Sequence, residues 1–233
     1  MKKLINLLVE SNETWDDQER STIEKAALDV GNAFARDINN FMEQYRRLRE
    51  MLIAAGEDVQ PVVPIEPDVA FLKVFGGRVN FVRKDEPADG TYWGFTRSRD
   101  EIWVYSNAPH SAAGEYPSTV GNRPEFSVHE LGHAFENVIL AAIGTKKGRN
   151  SIPQSLLNRQ KGFFPLGRFQ QSQDLGRGEI FADMFIGWVY DKWATIGGFP
   201  EGPLTEAGFD RKNFMDNIMI DLIREAIAHN NEA

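Results

Sequence analysis

No cysteine occurs anywhere in the 233 residues. Thiolate-ligated zinc, Cys-bound iron–sulfur clusters, a thiol nucleophile and a disulfide framework are thereby excluded, and any metal must sit on His, Asp or Glu. Histidine is scarce as well: the chain has His110, His129, His133 and His229 and no other. Basic residues are outnumbered, and the formal net charge of −8 argues against an extended nucleic-acid-binding surface. Long apolar runs are missing. Leu4 to Val9 is the start of a signal-like pattern, but Asn6 interrupts it and Glu10 ends it. A secretory core needs roughly 7–15 apolar residues and a membrane span about 18. These absences predict a soluble, cytoplasmic protein with no membrane partner. What remains is ordinary globular composition, 42% hydrophobic and 26% charged, enough for one large domain or two small ones.

The first clear signal is periodic. Ile23, Ala27, Val30, Phe34, Ile38, Phe41, Tyr45, Leu48 and Leu52 recur at the α-helical spacing. They predict a long helix over 14–55, packed across the domain body, with Gly31 as a place where it could bend. A docking or dimerisation helix is the sharper alternative. Pro61, Pro64 and Pro67 then mark an extended connector. This divides the chain into a helical region, 1–68, and a second region, 69–233, that together form one compact unit.

Strand signals follow at Phe71–Phe75 and Val79–Val82, flanking Gly76 and Gly77, and at Tyr92–Thr96 and Glu101–Tyr105, flanking a polar four-residue turn. Three or four strands are expected, antiparallel in the second hairpin. Helices are expected from Glu125 to about Ile143, from Glu179 to about Ala194 and from Asp210 to about His229. The fold class is therefore α+β: a long N-terminal helix, a small sheet and three further helices.

The chemistry concentrates in His129-Glu130-Leu131-Gly132-His133. On a helix, positions i and i+4 share a face, so two imidazoles can bind one metal ion. Glu130 is rotated by about 100° from His129. It can stand beside the metal without ligating it. A catalytic zinc takes three protein ligands and keeps one position open. Glu179 and Asp183 are again i and i+4, both acidic in an otherwise apolar segment. Two carboxylates on a core-packing helix need partners. Glu179 as third ligand and Asp183 as acceptor for the outward N–H of a ligand histidine would supply them.

His129-Glu130-x-x-His133 followed by Glu179-x-x-x-Asp183 resembles the gluzincin zinc metallopeptidases. Glu179-x-Phe181-Ala182-Asp183-x-Phe185 also resembles the compact ImmA/IrrE-type bacterial and phage metallopeptidase domains. The resemblance covers roughly residues 90–195. It implies a zincin-like fold, one zinc ion on His129, His133 and Glu179, Glu130 as general base, and Asp183 orienting His129. It further implies hydrolysis of a peptide or protein substrate. Metzincins continue the motif to a glycine and a third histidine, where this chain has Glu136 and Ile139. The alternatives are a regulatory protein in which zinc is structural, and a hydrolase of non-peptide amides or esters.

A second oxyanion donor is expected in gluzincin-like sites. Arg177, His110, Tyr116 and His229 are candidates. Tyr190 shares a face with Glu179, but eleven residues of helix rise about 16 Å, which puts it out of reach. Trp93, Trp103 and Tyr105 belong either to the core or, less often in such strands, to a cleft wall. Lys146, Lys147, Arg149, Arg159, Lys161, Arg168 and Arg177 stand against the single acid Asp174 in the segment 143–178. That basic segment is either a solvated linker or a functional overhang beside the site.

Overall fold

A computed structural model describes residues 9–10, 17–60, 62–84, 94–105, 124–144, 177–193, 195–196 and 202–232. Its elements are β1 (Val9–Glu10), α1 (Asp17–Ala54), α2 (Pro67–Phe75), β2 (Val79–Lys84), β3 (Gly94–Thr96), β4 (Glu101–Tyr105), α3 (Pro124–Ile143), α4 (Arg177–Tyr190) and α5 (Glu206–Glu232). The protein is mostly helical with one small sheet. Among the described residues no helix is long and apolar enough to cross a membrane.

Helix α1 follows the predicted stripe as far as Phe34, and beyond it the stripe is half-buried or exposed. Ile23, Ala27, Val30 and Phe34 are buried, and every buried residue of α1 lies between Glu19 and Ala35. At 38 residues it is about 57 Å long, and its later half carries the exposed Tyr45, Leu48, Met51 and Ile53. Gly31 is a contact point inside a continuous helix. A Cβ there would stand 2.5 Å from the Pro67 carbonyl oxygen, so the missing side chain lets the start of α2 rest on α1. Eight residues further on, Asn39 clamps the connector. Its Nδ2 donates to the Ile65 carbonyl (3.1 Å) and its Oδ1 accepts from the Ile65 N–H (2.8 Å).

Gly31→Ala should therefore destabilise the protein. Overpacking costs about 1–3 kcal/mol, and the helix-propensity gain of alanine, about 1 kcal/mol, offsets only part of it. A thermal melt should show a fall of a few degrees, at roughly 2–4 °C per kcal/mol for a chain of this size. A rise in melting temperature would mean that the two helices part without cost.

The expected strand at Phe71–Phe75 is helical instead. Pro67 opens α2, and Ala70, Phe71, Val74 and Phe75 form its buried face. A short apolar run carries no period that separates strand from helix. The two glycines are a helix stop: Gly76 adopts φ 74° and the Gly77 N–H reaches the Leu72 carbonyl at 2.9 Å. Helix α4 ends at Tyr190, four residues before the expected end. Asp191 takes φ 47° there, and the Lys192 N–H bonds back to the Gly187 carbonyl.

The sheet runs β1-β2-β4-β3. Strands β1, β2 and β4 are parallel neighbours, and β3 pairs antiparallel with β4 as the hairpin signal predicts. Among the described residues, strand β3 is thus an edge. Phe81, Ile102 and Thr96 align across the sheet, as do Val104 and Gly94. Phe81, Ile102 and Val104 are buried, so this row faces the helices. Trp103 alternates to the other face. Its ring lies beneath Lys84 Nζ (5.0 Å) and the Arg97 guanidinium (4.9 Å), and its Nε1 donates to Glu101. It is half-buried and does not belong to the buried core cluster.

Phe34 stands where the helices meet, its ring centroid 5.4–6.1 Å from those of Phe75, Phe135, Phe185 and Trp188. Burial of aromatic rings of this size dominates such a core. The same buried cluster runs from Ile23 on α1 to Ala226 on α5. On α5, Met219, Leu222 and Ala226 are buried, whereas Phe214 and Ile218 are only partly so.

Candidate metal centre

Helix α3 carries the His-Glu-x-x-His segment in its middle, flanked by the buried Phe126, Val128, Leu131, Ala134 and Phe135. Helix α4 is buried on every side from Phe181 to Val189. Gly132 brings the two together: a Cβ at that position would lie 3.0 Å from the Ala182 Cα and 3.2 Å from Phe185. The glycine inside the motif thus sets how near the carboxylates of α4 come to the histidines of α3.

The predicted ligands converge. One ligand atom each from His129, His133 and Glu179 lies within 4.8 Å of the others. His129 Nε2 is 3.2 Å from Glu179 Oε2, and His133 Nε2 is 3.4 Å from Glu179 Oε1. Tetrahedral zinc with bonds near 2.1 Å separates its ligand atoms by about 3.4 Å. The spacing and the N, N, O donor set both fit such an ion. Asp183, also as predicted, faces the opposite side of the first imidazole, its Oδ1 2.9 Å from His129 Nδ1. With Nδ1 donating to that carboxylate, the lone pair of Nε2 is presented to the cluster.

The charges are mutually dependent. Burial disfavours a charged His129, but hydrogen bonds to Asp183 and Glu179 outweigh it and raise its pKa to about 10. Burial likewise opposes charge on His133, and Glu136 with Glu179 lifts it to about 9. The two imidazoles hold the Glu179 carboxyl far below the ordinary carboxylate range.

Glu130 is 5% exposed and is not among the converging ligands. Its Oε2 accepts a hydrogen bond from the Thr96 hydroxyl at 2.8 Å, and the same hydroxyl lies 2.9 Å from the Glu130 backbone carbonyl. Opposite its other oxygen stands Gly94, where a Cβ would lie 2.8 Å from Glu130 Oε1 and 2.5 Å from the Phe126 ring.

Gly94 and Thr96 escape sequence reasoning, since a three-residue strand has almost no period. Glu136 escapes it too. It is 4% exposed, and its carboxylate lies 3.9 Å from His133 Nδ1. Its position three residues after His133, on the same helical face, is the signal that was there to be read.

The remaining candidates divide. Tyr190 is occupied elsewhere, donating to Asp29 Oδ2 on α1 at 3.0 Å. His229 lies in the last turn of α5 and does not join the cluster. Arg177 is the first residue of α4. His110, Tyr116, Trp93 and most of the basic segment lie outside the described residues, as does the side chain of Tyr105. Comparison with known proteins adds no relative: no family profile, no curated protein and no solved structure matches the chain.

Proposed function

We propose that the chain is a zinc-dependent peptidase of gluzincin type, with a zincin-like arrangement of α3, α4 and the sheet edge. The observation that carries this reading is the placement of Glu130. A buried carboxylate stands beside the triad of His129, His133 and Glu179, outside it, and is held by its own hydrogen bond. A purely structural zinc site has no use for such a group.

Zinc, when bound, supplies Lewis acidity toward a water and a carbonyl oxygen. Asp183 keeps the proton of His129 on Nδ1, which fixes the ring as a ligand through Nε2. Glu130 takes the proton of the attacking water as its oxygen bonds to the carbonyl carbon. It then delivers that proton to the amine nitrogen as the C–N bond breaks. Strand β3, paired to β4 on one side, offers an edge to which an extended substrate could add by main-chain hydrogen bonds. The acidic, cysteine-free composition is compatible with action in the cytoplasm.

The test is hydrolysis of a diverse set of internally quenched peptides by the zinc-loaded protein. Cleavage should stop on treatment with a chelator and return on adding zinc. One zinc per chain with no peptide cleaved would contradict the peptidase reading and favour a regulatory protein with structural zinc.

A further inference from the structure

We propose that Thr96, seated beside Gly94 on the edge strand β3, is the positioning residue of the general base Glu130; the inference rests on the peptidase reading above. A glutamate side chain has three rotatable bonds, and fixing it costs up to about 2 kcal/mol of rotamer freedom. A general base must nevertheless keep its oxygen within hydrogen-bond reach of the proton it removes. Helix α3 does not do this alone, because the helix fixes only the Cα–Cβ direction.

The sheet edge supplies the missing constraint. Residues i and i+2 of a strand share a face, and Gly94 and Thr96 both face Glu130. The Thr96 hydroxyl shares its one proton between Glu130 Oε2 (2.8 Å) and the Glu130 backbone carbonyl (2.9 Å), which ties the carboxylate to one place on the strand. Gly94 leaves the space that Oε1 occupies, since a Cβ would stand 2.8 Å from it. One position holds the carboxylate by a hydrogen bond and the other by the lack of a side chain. Gly94 also makes room for the Phe126 ring of the core, 2.5 Å from where a Cβ would stand, but apolar packing does not account for the Thr96 hydroxyl. A valine would pack and pair as well at 96, and glycine weakens a strand unless something approaches closely. Thr96 touches no reacting atom in this scheme. It acts through Glu130, by keeping the carboxylate from rotating away between turnovers.

The experiment compares Thr96→Val, which keeps the shape and removes the hydroxyl, with Thr96→Ser, which keeps the hydroxyl. Both are loaded with zinc and assayed on a quenched peptide that the wild type cleaves. Misplacement of a reacting group by about 1 Å costs up to about 100-fold. Thr96→Val should therefore lose between about 10- and 100-fold in kcat with KM unchanged, and Thr96→Ser should return to within about threefold of wild type. In a Glu130→Gln background the valine should add less than about twofold, because the residue through which Thr96 acts has lost its function.

Metal content and a crystal structure of zinc-loaded Thr96→Val provide the readout that does not need activity. The expected result is one zinc per chain with the Glu130 carboxylate rotated from its place over Gly94. A carboxylate unmoved in that structure overturns the proposal whatever the kinetics show, and so does a valine variant as active as wild type. If wild type cleaves no peptide, the peptidase reading falls, and the crystal structure alone decides whether Thr96 holds the carboxylate.

Discussion

Zinc binding to the metal-free protein at pH 7 should release about two protons per ion. His129 and His133, with pKa values raised to about 10 and about 9, are both charged at that pH, and each must give up a proton to ligate. Two ordinary imidazoles of pKa 6.5 would release only about half a proton between them. Calorimetry of zinc binding in two buffers of different ionisation enthalpy measures the number. The apparent affinity should also rise with pH, approaching about 100-fold per unit between pH 7 and 9. The sign for stability follows from the same shifts. Folded-state values raised above the unfolded ones give a contribution that is complete below about pH 6.5. That contribution is lost as pH climbs through about 9 and then about 10. The metal-free protein should thus weaken on the alkaline side, while zinc affinity strengthens there. Release of half a proton or less would mean that the carboxylates of Glu179, Asp183 and Glu136 do not hold the imidazoles charged.

Glu130→Gln should lower turnover by about 10²–10⁴ and leave the metal in place. Glu130 lies outside the converging ligands, so one zinc per chain should persist. Glutamine has the same size, and its carbonyl oxygen can still accept from Thr96, so the fold around β3 should be preserved. The variant has lost only the ability to take a proton. A positioned general base contributes about 10²–10⁴ in rate, and a loss of that size should appear equally in kcat and kcat/KM. Wild-type turnover by Glu130→Gln would remove Glu130 from the mechanism and leave the metal site without an assigned base.

The site was more legible in the sequence than the fold around it. His129 and His133 declare themselves by a local rule, since i and i+4 share a helical face whatever the tertiary structure. Glu179 and Asp183 could be read from a second rule: carboxylates in an apolar helix need partners. That rule led across 54 residues to the imidazole that Asp183 does face. The nature of α2 was not legible, because Phe71–Phe75 is too short and too uniformly apolar to show a period. Nor was the parallel pairing of β1, β2 and β4, which no local pattern encodes. Thr96 and Gly94 were hidden for a different reason. Their meaning depends on a side chain thirty-odd residues away that only the folded sheet edge brings over them. Glu136 was visible as an acid near the motif, but its burial was not.

The central claim is that one metal ion sits on two segments, α3 and α4, with Glu179 as the ligand that α4 supplies. Metal content, measured by mass spectrometry after dialysis against a weak chelator, tests it on wild type and Glu179→Ala side by side. The account predicts one zinc per chain in wild type and its loss from the variant. Zinc retained equally by both would contradict the two-segment site, and with it the gluzincin reading.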